Sequence, residues 1–405
     1  MKWVICCLLV VQGLYGEVLN GIDQLFQPEY VRVLKGRRIG LFCNQTAVNR
    51  ELIPTPLLLQ KHAKEGHYHL VALFAPEHGI RGDARANEPI ATQRDVSGLP
   101  IFSLYGATYR PTKEMLDGID LILIDIQDIG SRSYTYLTTV CYLMEEAAKN
   151  QIKVVILDRP NPMNGLIVDG PLLKGQRSLV GYLNVPYCHG MTLGELARFF
   201  NMQHKLGCQL EVIPLKGWKR EMTFADTQLP WIPTSPNIPE ADTPFYYATT
   251  GILGEMKLVN IGVGGTLPFK VVVAPWISAE MFAKRLNEQQ FPGVRFVPFH
   301  WRPTYGRYAH QPCHGVLIRI TDHKVFLPVA TQYLLIGVLK GLYPKQFQDA
   351  MKILSAKKEL FHRVNGTEEV FDLLVKPGPV VWPLRTLHQM EKLPFLDQRQ
   401  RALLY

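Results

Sequence analysis

Short apolar runs alternate with amphipathic stretches through the first half of this chain, and this alternation limits the possible folds more than any other feature. Five runs rich in β-branched residues lie between residues 37 and 160: RRIGLFCN, HLVALFAP, PIFSLYG, DLILIDIQD and IKVVILDRP. Stretches with helical spacing, such as TYLTTVCYLMEEAAKNQ, separate several of them. Near-continuous apolar strands that alternate with helices are typical of a parallel sheet covered on both faces. The pattern predicts an α/β fold with a Rossmann-like, doubly wound parallel-sheet domain.

The sequence changes character after a proline-rich, aromatic segment, LPWIPTSPNIPEADTPFYYATTG, which we do not expect to form regular structure. Beyond it, short strand candidates mix with helical stretches, as in a smaller α+β domain. A chain of 405 residues also exceeds the usual size of a single core. We therefore predict a boundary near Gly251, with a Rossmann-like catalytic domain over residues 17–250 and a smaller C-terminal α+β domain over residues 251–405.

The first residues, MKWVICCLLVVQGLYGE, place one lysine before a short apolar run that ends on small residues. This pattern is typical of a secretory signal peptide, here residues 1–16 with cleavage near Gly16, and the run is short for a membrane span. An uncleaved membrane anchor is the alternative. We expect an exported protein, periplasmic or secreted, without stable membrane association after cleavage.

The formal net charge of +9 suits an anionic partner, such as a cell-wall polymer or a carboxylated sugar. Basic residues are scattered rather than clustered, which argues against nucleic-acid binding. No G-x-G-x-x-G, P-loop lysine or G-x-S-x-G motif is present. The histidine-rich stretches KHAKEGHYH and HQPCHG do not match zinc-binding patterns. We therefore predict no cofactor and no metal.

Distinctive polar residues follow each of the five predicted strands. In an open parallel sheet, ligands bind beyond the carboxyl ends of the strands, where these residues lie. The residues at these ends are Asn44, Gln45, Thr46, Glu77, His78, Tyr105, Gln127, Asp128, Arg132, Asp158, Arg159 and Asn161. Helix capping explains some of them equally well, namely Asn44, Thr46 and Asp158.

Glu77 is harder to explain as a cap. Pro76 ends the strand before it, and Gly79 and Gly82 keep the following loop from starting a helix. A carboxyl group at the edge of an apolar sheet, partly withdrawn from water, is suited to general acid catalysis. Glu77 is therefore the leading candidate for a catalytic residue.

The proline-rich segment carries aromatic residues with two possible roles. Trp231, Tyr246 and Tyr247 lie near Asn237. Sugar rings stack on aromatic faces and amides bind their hydroxyls, so these residues suit a sugar site. Packing between the two domains explains the same composition, and both readings stay open.

Several motifs resemble those of the NamZ-like exo-β-N-acetylmuramidases. These are APEHGIRGDA, SLYGAT, DIQDIGSRSYTY, LDRPNPMNG, HGMTLGELA, LPWIPTSPNIP and APWI, which run in order from about Gly40 to the last residues. The resemblance implies a glycoside hydrolase that releases β-linked N-acetylmuramic acid from the non-reducing ends of peptidoglycan fragments. It also implies a Rossmann-like domain and a smaller C-terminal domain with the active site in the cleft between them.

The resemblance points to residues for each role. Glu77 of the PEHG motif is the leading catalytic residue, with Asp128 as second carboxylate and His78 as a nearer alternative or orienting group. Arg132 or Arg159 would clamp the lactyl carboxylate of muramic acid. The predicted substrate-binding residues are Asn44, Gln45, Tyr105, Gln127, Arg132, Tyr136, Arg159, Asn161, His189, Asn237 and Glu255.

Three alternatives remain at this point. Attack by the substrate's own acetamido group is an alternative to the second carboxylate. A hydrolase that acts on a different exported substrate, such as a wall peptide or ester, is an alternative to the muramidase. A non-catalytic protein that binds cell-wall fragments is an alternative to the enzyme. This last alternative is kept open because many relatives carry a stretch like EGTNVSEGRGT where this chain has GEMKLVNIGVGGT, so that Ile261 and Val263 replace a glutamate and an arginine.

Overall fold

In the computed structural model, which describes residues 17–86 and 88–405, the first half of the chain forms one seven-stranded sheet. Its strands are β1 (Arg38–Cys43), β2 (His69–Ala75), β3 (Gln93–Arg94), β4 (Pro100–Ser103), β5 (Leu121–Asp125), β6 (Lys153–Leu157) and β7 (Leu210–Ile213). Their order is β3-β4-β2-β1-β5-β6-β7, and all neighbours are parallel except β3 and β4. The predicted fold class is confirmed. The predicted signal peptide lies outside the described residues.

Helices cover both faces of this sheet. They are α1 (Gly21–Gln24), α2 (Pro28–Val31), α3 (Thr55–Gly66), α4 (Lys113–Leu116), α5 (Thr135–Lys149) and α6 (Leu193–Gln203). Successive side chains of a strand point to opposite faces, so each strand contributes side chains to two apolar cores. In β1, Leu41 packs in the cluster that contains Leu59 of α3, whereas Phe42 packs in the cluster that contains Leu137 of α5. This double burial explains why the strands read as continuous apolar runs.

The second half forms a smaller unit around a three-stranded antiparallel sheet. Its strands are β8 (Val271–Ala274), β9 (Val294–Trp301) and β10 (Cys313–Ile320), in the order β8-β10-β9. Its helices are α7 (Thr243–Glu255), α8 (Ala279–Asn287), α9 (Pro328–Leu342), α10 (Pro344–Ser355), α11 (Lys358–Asn365), α12 (Glu369–Val375), α13 (Val381–Thr386) and α14 (Lys392–Gln400). The predicted smaller C-terminal α+β unit is thus present.

Helix α7 corrects one expectation from the sequence. The segment TPFYYATTG, expected to be irregular, forms most of this helix. Pro244 lies in its first turn, where a missing N–H costs nothing because that group has no helical partner. Gly251, near which we predicted the boundary, falls inside α7, and the domain limits themselves stay a prediction.

One apolar core connects the two units. The cluster that contains Leu137 of α5 also contains Phe245 and Ile252 of α7 and Tyr333 and Leu334 of α9. Helix α7 packs along α9, so it lies between the sheet domain and the C-terminal helices. Within the described residues, no helix is both long and apolar enough to span a bilayer.

Candidate active site

The crevice at the topological switch point of the sheet is filled by the chain itself. Strand β1 lies between β2 and β5, and ligands of such sheets usually bind beyond the ends of strands at this point. Here residues 230–238, which we call the strap, lie over it. The Gln45 side-chain amide donates to the Pro233 carbonyl at 2.7 Å, and the Tyr136 hydroxyl donates to the Thr234 carbonyl at 2.6 Å. A cavity of about 10 Å³ remains, lined by Gln127 and Arg159 among others, which is room for about one water molecule.

The amides at the strand ends hold loops together. Asn44 accepts from the Thr46 N–H and hydroxyl and donates to the Tyr136 hydroxyl. Gln127 donates to the carbonyls of Asp128 and Pro160. Asn161 donates to the Met191 carbonyl and accepts from the Met163 N–H. The side chains of Asn44, Gln127, Tyr136 and Asn161 are buried and engaged in these bonds, so they stabilise loops in this structure, and their contact with substrate stays a prediction.

Arg159, one of the two predicted clamps, is paired inside the protein. Its guanidinium forms a bidentate pair with Asp125, at 2.6 and 3.0 Å, and donates to the Val48 carbonyl. Asp125 is fully buried and Arg159 is 6% exposed. A buried pair of this geometry satisfies both charges inside the protein. Arg159 therefore joins the ends of β5 and β6 in this structure, and its role as a clamp stays a prediction.

Arg132 is likewise committed to the protein interior. Its two terminal nitrogens donate to the carbonyls of Pro171, Val185, Val364 and Asn365, and the residue is fully buried. Burial lowers the pKa of its guanidinium to about 10, so it stays charged at neutral pH. Two of these carbonyls lie on α11, so Arg132 joins the sheet domain to the C-terminal unit, and its role as a clamp stays a prediction.

An open cleft of about 380 Å³ lies beside the strap, between the two units. Residues from both halves of the chain line it, in agreement with the location that the family resemblance implies. The sheet domain contributes Ala86, Ser133, Val180, Tyr187 and Asn237. The C-terminal unit contributes Tyr247, Gly251, Gly254, Glu255, Lys257, Val259, Asn260, Ile261, Val263, Phe269, Tyr305, Gly306, Arg307, Leu360 and Val364.

Three hydroxyl groups form a connected set in the wall of this cleft. The Ser133 oxygen lies 2.8 Å from the Tyr187 hydroxyl and 3.0 Å from the Tyr247 hydroxyl. Burial, and the charges of Glu77 and Glu255, raise the pKa of Tyr247 to about 12, so it stays protonated. Such a set can donate to and accept from the hydroxyls of a sugar. The sequence analysis named Tyr247 as a sugar-site candidate but missed Ser133 and Tyr187, although Ser133 lies inside the DIQDIGSRSYTY motif.

Glu77 is connected to the cleft through its neighbours and is not itself among the residues that line it. It is 8% exposed and accepts a hydrogen bond of 2.8 Å from the Thr135 hydroxyl at the start of α5. The side chain of Tyr105 also hydrogen-bonds to Glu77. Thr135 is two residues from Ser133, which lines the cleft, and the charge of Glu77 acts on Tyr247, which lines it too. The catalytic role of Glu77 stays a prediction.

His78 stabilises the loop that carries Glu77. Its backbone is left-handed, with φ of 71°, and its Nδ1 lies 2.8 Å from the Ala84 carbonyl oxygen. This contact closes the loop over residues 78–84. Of the two roles predicted for His78, catalytic group or orienting group, the contact is consistent with the orienting role.

Asp128 and His189 form a buried pair with unused polar atoms. The Asp128 Oδ2 accepts from the Gly130 N–H and lies 4.0 Å from the His189 Nε2. Neither Asp128 Oδ1 nor His189 Nε2 has a hydrogen-bond partner within the described residues. Burial raises the pKa of Asp128 to about 6, and burial with nearby Arg399 and Arg132 lowers the pKa of His189 to about 3. His189 is thus a neutral, fully buried neighbour of Asp128, and its contact with substrate stays a prediction.

Two predicted residues do line the cleft. Glu255 lies at the end of α7, and its carboxylate is 3.9 Å from the Lys257 amine. Asn237 of the strap accepts a hydrogen bond from the Gly264 N–H at 3.1 Å. The strap residue Trp231 instead packs edge-on against Phe224, which also belongs to the sheet domain, so this contact leaves both roles predicted for the aromatic residues open. In the part of the chain that the structure describes, no group of three or more metal-ligating side chains occurs.

Comparisons with known proteins cover almost the whole chain. The model for "Exo-beta-N-acetylmuramidase NamZ, N-terminal" matches residues 39–242, and the corresponding C-terminal model matches residues 245–405. The peptidoglycan beta-N-acetylmuramidase NamZ of Bacillus subtilis (strain 168) is 41% identical over 334 residues, which cover 82% of this chain and 80% of that protein.

Two solved structures share the fold. Both are DUF1343 family proteins of Bacteroides fragilis NCTC 9343. One has a TM-score of 0.84 and 36% identity, and the other has a TM-score of 0.69 and 29% identity. Each comparison covers 96% of this chain and 99% of the other.

The position of Arg132 predicts a loss of stability on substitution. Arg132→Met would leave four carbonyls without donors, so we expect the free energy of unfolding to fall by at least about 3 kcal/mol. Urea denaturation measures this, with Arg94→Met on the surface as control, which should change it by less than about 0.5 kcal/mol. If the Arg132→Met protein is stable but has a raised KM, the result would instead support the role of Arg132 as a clamp for the lactyl carboxylate.

The buried carboxyl of Asp128 predicts a specific pH dependence. The pKa of Asp128 is raised from 3.8 to about 6 on folding. The contribution of the protonated Asp128 to the free energy of unfolding is therefore fully present below pH 3.8 and is lost as the pH rises through 6. Asp128→Asn stays neutral, so it should gain about 2–3 kcal/mol relative to wild type between pH 3.5 and pH 8. Urea denaturation at both pH values measures this difference, and a constant difference would contradict the burial of an ionised Asp128.

Proposed function

The chain belongs to the NamZ family of exo-beta-N-acetylmuramidases, and on that premise we propose how its cleft does the chemistry. The protein is a glycoside hydrolase that releases β-linked N-acetylmuramic acid from the non-reducing ends of peptidoglycan fragments. We propose that Glu77 is its general acid. The observation that carries this assignment is a buried carboxyl group held by Thr135 beside a cleft lined with hydroxyls.

In the proposed reaction, Glu77 transfers its proton to the glycosidic oxygen as the bond from that oxygen to the anomeric carbon breaks. The leaving sugar departs as an alcohol, and positive charge develops on the ring. Water then supplies a hydroxyl to the anomeric carbon and a proton to the protein. This leaves free N-acetylmuramic acid and a shortened fragment.

A second carboxylate would activate the water or stabilise the charged ring. Asp128 is the candidate, because its Oδ1 has no hydrogen-bond partner within the described residues and its pKa of about 6 lets it act as a base near neutral pH. The charge of Asp128 acts on Tyr134, and the charge of Glu77 acts on Tyr247. The ring centres of these two tyrosines lie 6.2 Å apart. The charges of Asp128 and Glu77 therefore act on two neighbouring tyrosines, one of which, Tyr247, lines the cleft.

We also propose where the protein is located and which partners it does not bind. The apolar N-terminal stretch is the basis for export to the periplasm or beyond, where peptidoglycan is found. The scattered distribution of basic residues is the basis for proposing that nucleic acid is not a partner. Binding of the mature protein to membranes is not part of the proposal.

Glu77→Gln tests the general acid. The variant keeps the side chain's shape but cannot donate the proton, so kcat should fall by about 10²- to 10⁴-fold on a muramic acid disaccharide. The loss should be much smaller on a 4-nitrophenyl muramic acid glycoside, because nitrophenolate leaves without protonation. Steady-state kinetics on both substrates measure the contrast, with Glu65→Gln on the exposed face of α3 as control.

Other results would assign the site differently. Equal losses on the two glycosides would mean that Glu77 does not protonate the leaving group. Tight binding of wall fragments without any turnover by the wild-type protein would favour the non-catalytic binding protein.

A further inference from the structure

We propose that Arg307 binds the lactyl carboxylate of the substrate and so makes the cleft selective for muramic acid over the same sugar without the lactyl group. This inference rests on the proposed function, and it names a residue that the sequence motifs did not indicate. N-acetylmuramic acid differs from N-acetylglucosamine by a lactyl ether that carries a carboxylate. A cleft that distinguishes the two therefore needs a group that recognises this anion.

Arg307 is placed to recognise it. The residue is exposed, lies in the loop between β9 and β10, and lines the cleft together with Tyr247 and Glu255. Within the described residues, its guanidinium forms no ion pair with any carboxylate. A guanidinium offers two parallel N–H groups to a carboxylate, which gives both strength and direction. Arg132 and Arg159, the arginines that the sequence suggested, are bound inside the protein.

Hydrogen bonds from the Asn260 side chain fix the loop that carries Arg307. The buried Asn260 donates to the carbonyls of Tyr305 and Arg307, at 3.0 and 2.8 Å, and its own backbone pairs with Val273 of β8. Asn260 Oδ1 accepts from the Gly262 N–H, so the side chain has one orientation. The Arg307 guanidinium lies 4.8 Å from the centre of the Tyr308 ring, an arrangement that favours the cation there. A positioned cation loses less entropy on binding than a free one.

Lys257 is the other cation in the cleft, and it is a weaker candidate. Its amine lies 3.9 Å from the Glu255 carboxylate, which offsets its charge. It is also a point charge on a flexible chain, without the two-pronged geometry of a guanidinium. The cleft thus contains two cations. The charge of Lys257 is offset by Glu255, whereas Arg307 has no acidic partner among the described residues.

The test compares two substrates that differ only in the charge of the lactyl group. They are the 4-nitrophenyl glycoside of N-acetylmuramic acid and the same glycoside with the lactyl carboxylate as its methyl ester. Arg307→Ala should lower kcat/KM for the acid by about 10- to 100-fold, mostly through KM, because a charge-assisted bidentate bond is lost. It should change kcat/KM for the ester by less than about threefold. Arg307→Lys should restore part of the activity on the acid.

Matched variants separate this role from other causes. Arg302→Ala removes an exposed arginine from the same loop that does not line the cleft, and it should leave both substrates unchanged. Equal losses on acid and ester for Arg307→Ala would overturn the proposal, as would no loss on either. A loss specific to the acid in Lys257→Ala but not in Arg307→Ala would overturn it in favour of Lys257.

Failure of the proposed function would look different. If the wild-type protein cleaves neither glycoside, the hydrolase assignment fails, and calorimetric binding of free N-acetylmuramic acid and its methyl ester then tests Arg307 directly. Weaker binding of the acid alone to Arg307→Ala would still support the carboxylate site, and equal binding of the acid to both proteins would overturn it.

Discussion

The hydrogen bonds between the strap and the sheet determine where this protein can bind a ligand. A doubly wound sheet normally offers a crevice at its switch point, and here the carbonyls of Pro233 and Thr234 occupy that crevice as acceptors for Gln45 and Tyr136. With that crevice closed, a cleft of about 380 Å³ lies to one side, against the C-terminal unit. We therefore place the candidate site between the two units.

Closing the crevice has an electrostatic consequence. Polar residues that would face a ligand in an open sheet become buried, and each must then be satisfied inside the protein. Arg159 is paired with Asp125, and the two terminal nitrogens of Arg132 donate to four carbonyls, two of them on α11. Asp128 Oδ1, His189 Nε2 and Arg132 Nε have no hydrogen-bond partner among the described residues, and burial raises the pKa of Asp128. A buried acid with a raised pKa and an unused oxygen is a common mark of a functional site.

The sequence predicted the architecture well and the site only in part. Apolar runs such as DLILIDIQD identified strands because burial on both faces leaves a strong local signal, and conspicuous motifs located Glu77. Local patterns cannot tell a polar residue that faces a ligand from one that binds a loop, and the structure shows Asn44, Arg132 and Arg159 engaged inside the protein. Arg307 and Tyr187 were missed because they carry no motif signal of their own, and only the packing of the two units brings them to the cleft.

A crystal structure of the protein with N-acetylmuramic acid tests this account most directly. The account predicts density for the sugar in the interdomain cleft, with its hydroxyls near Ser133 and Tyr247 and its carboxylate at Arg307. Density for the sugar over Gln127 and Arg159, with the strap displaced from the ends of β1 and β5, would contradict it.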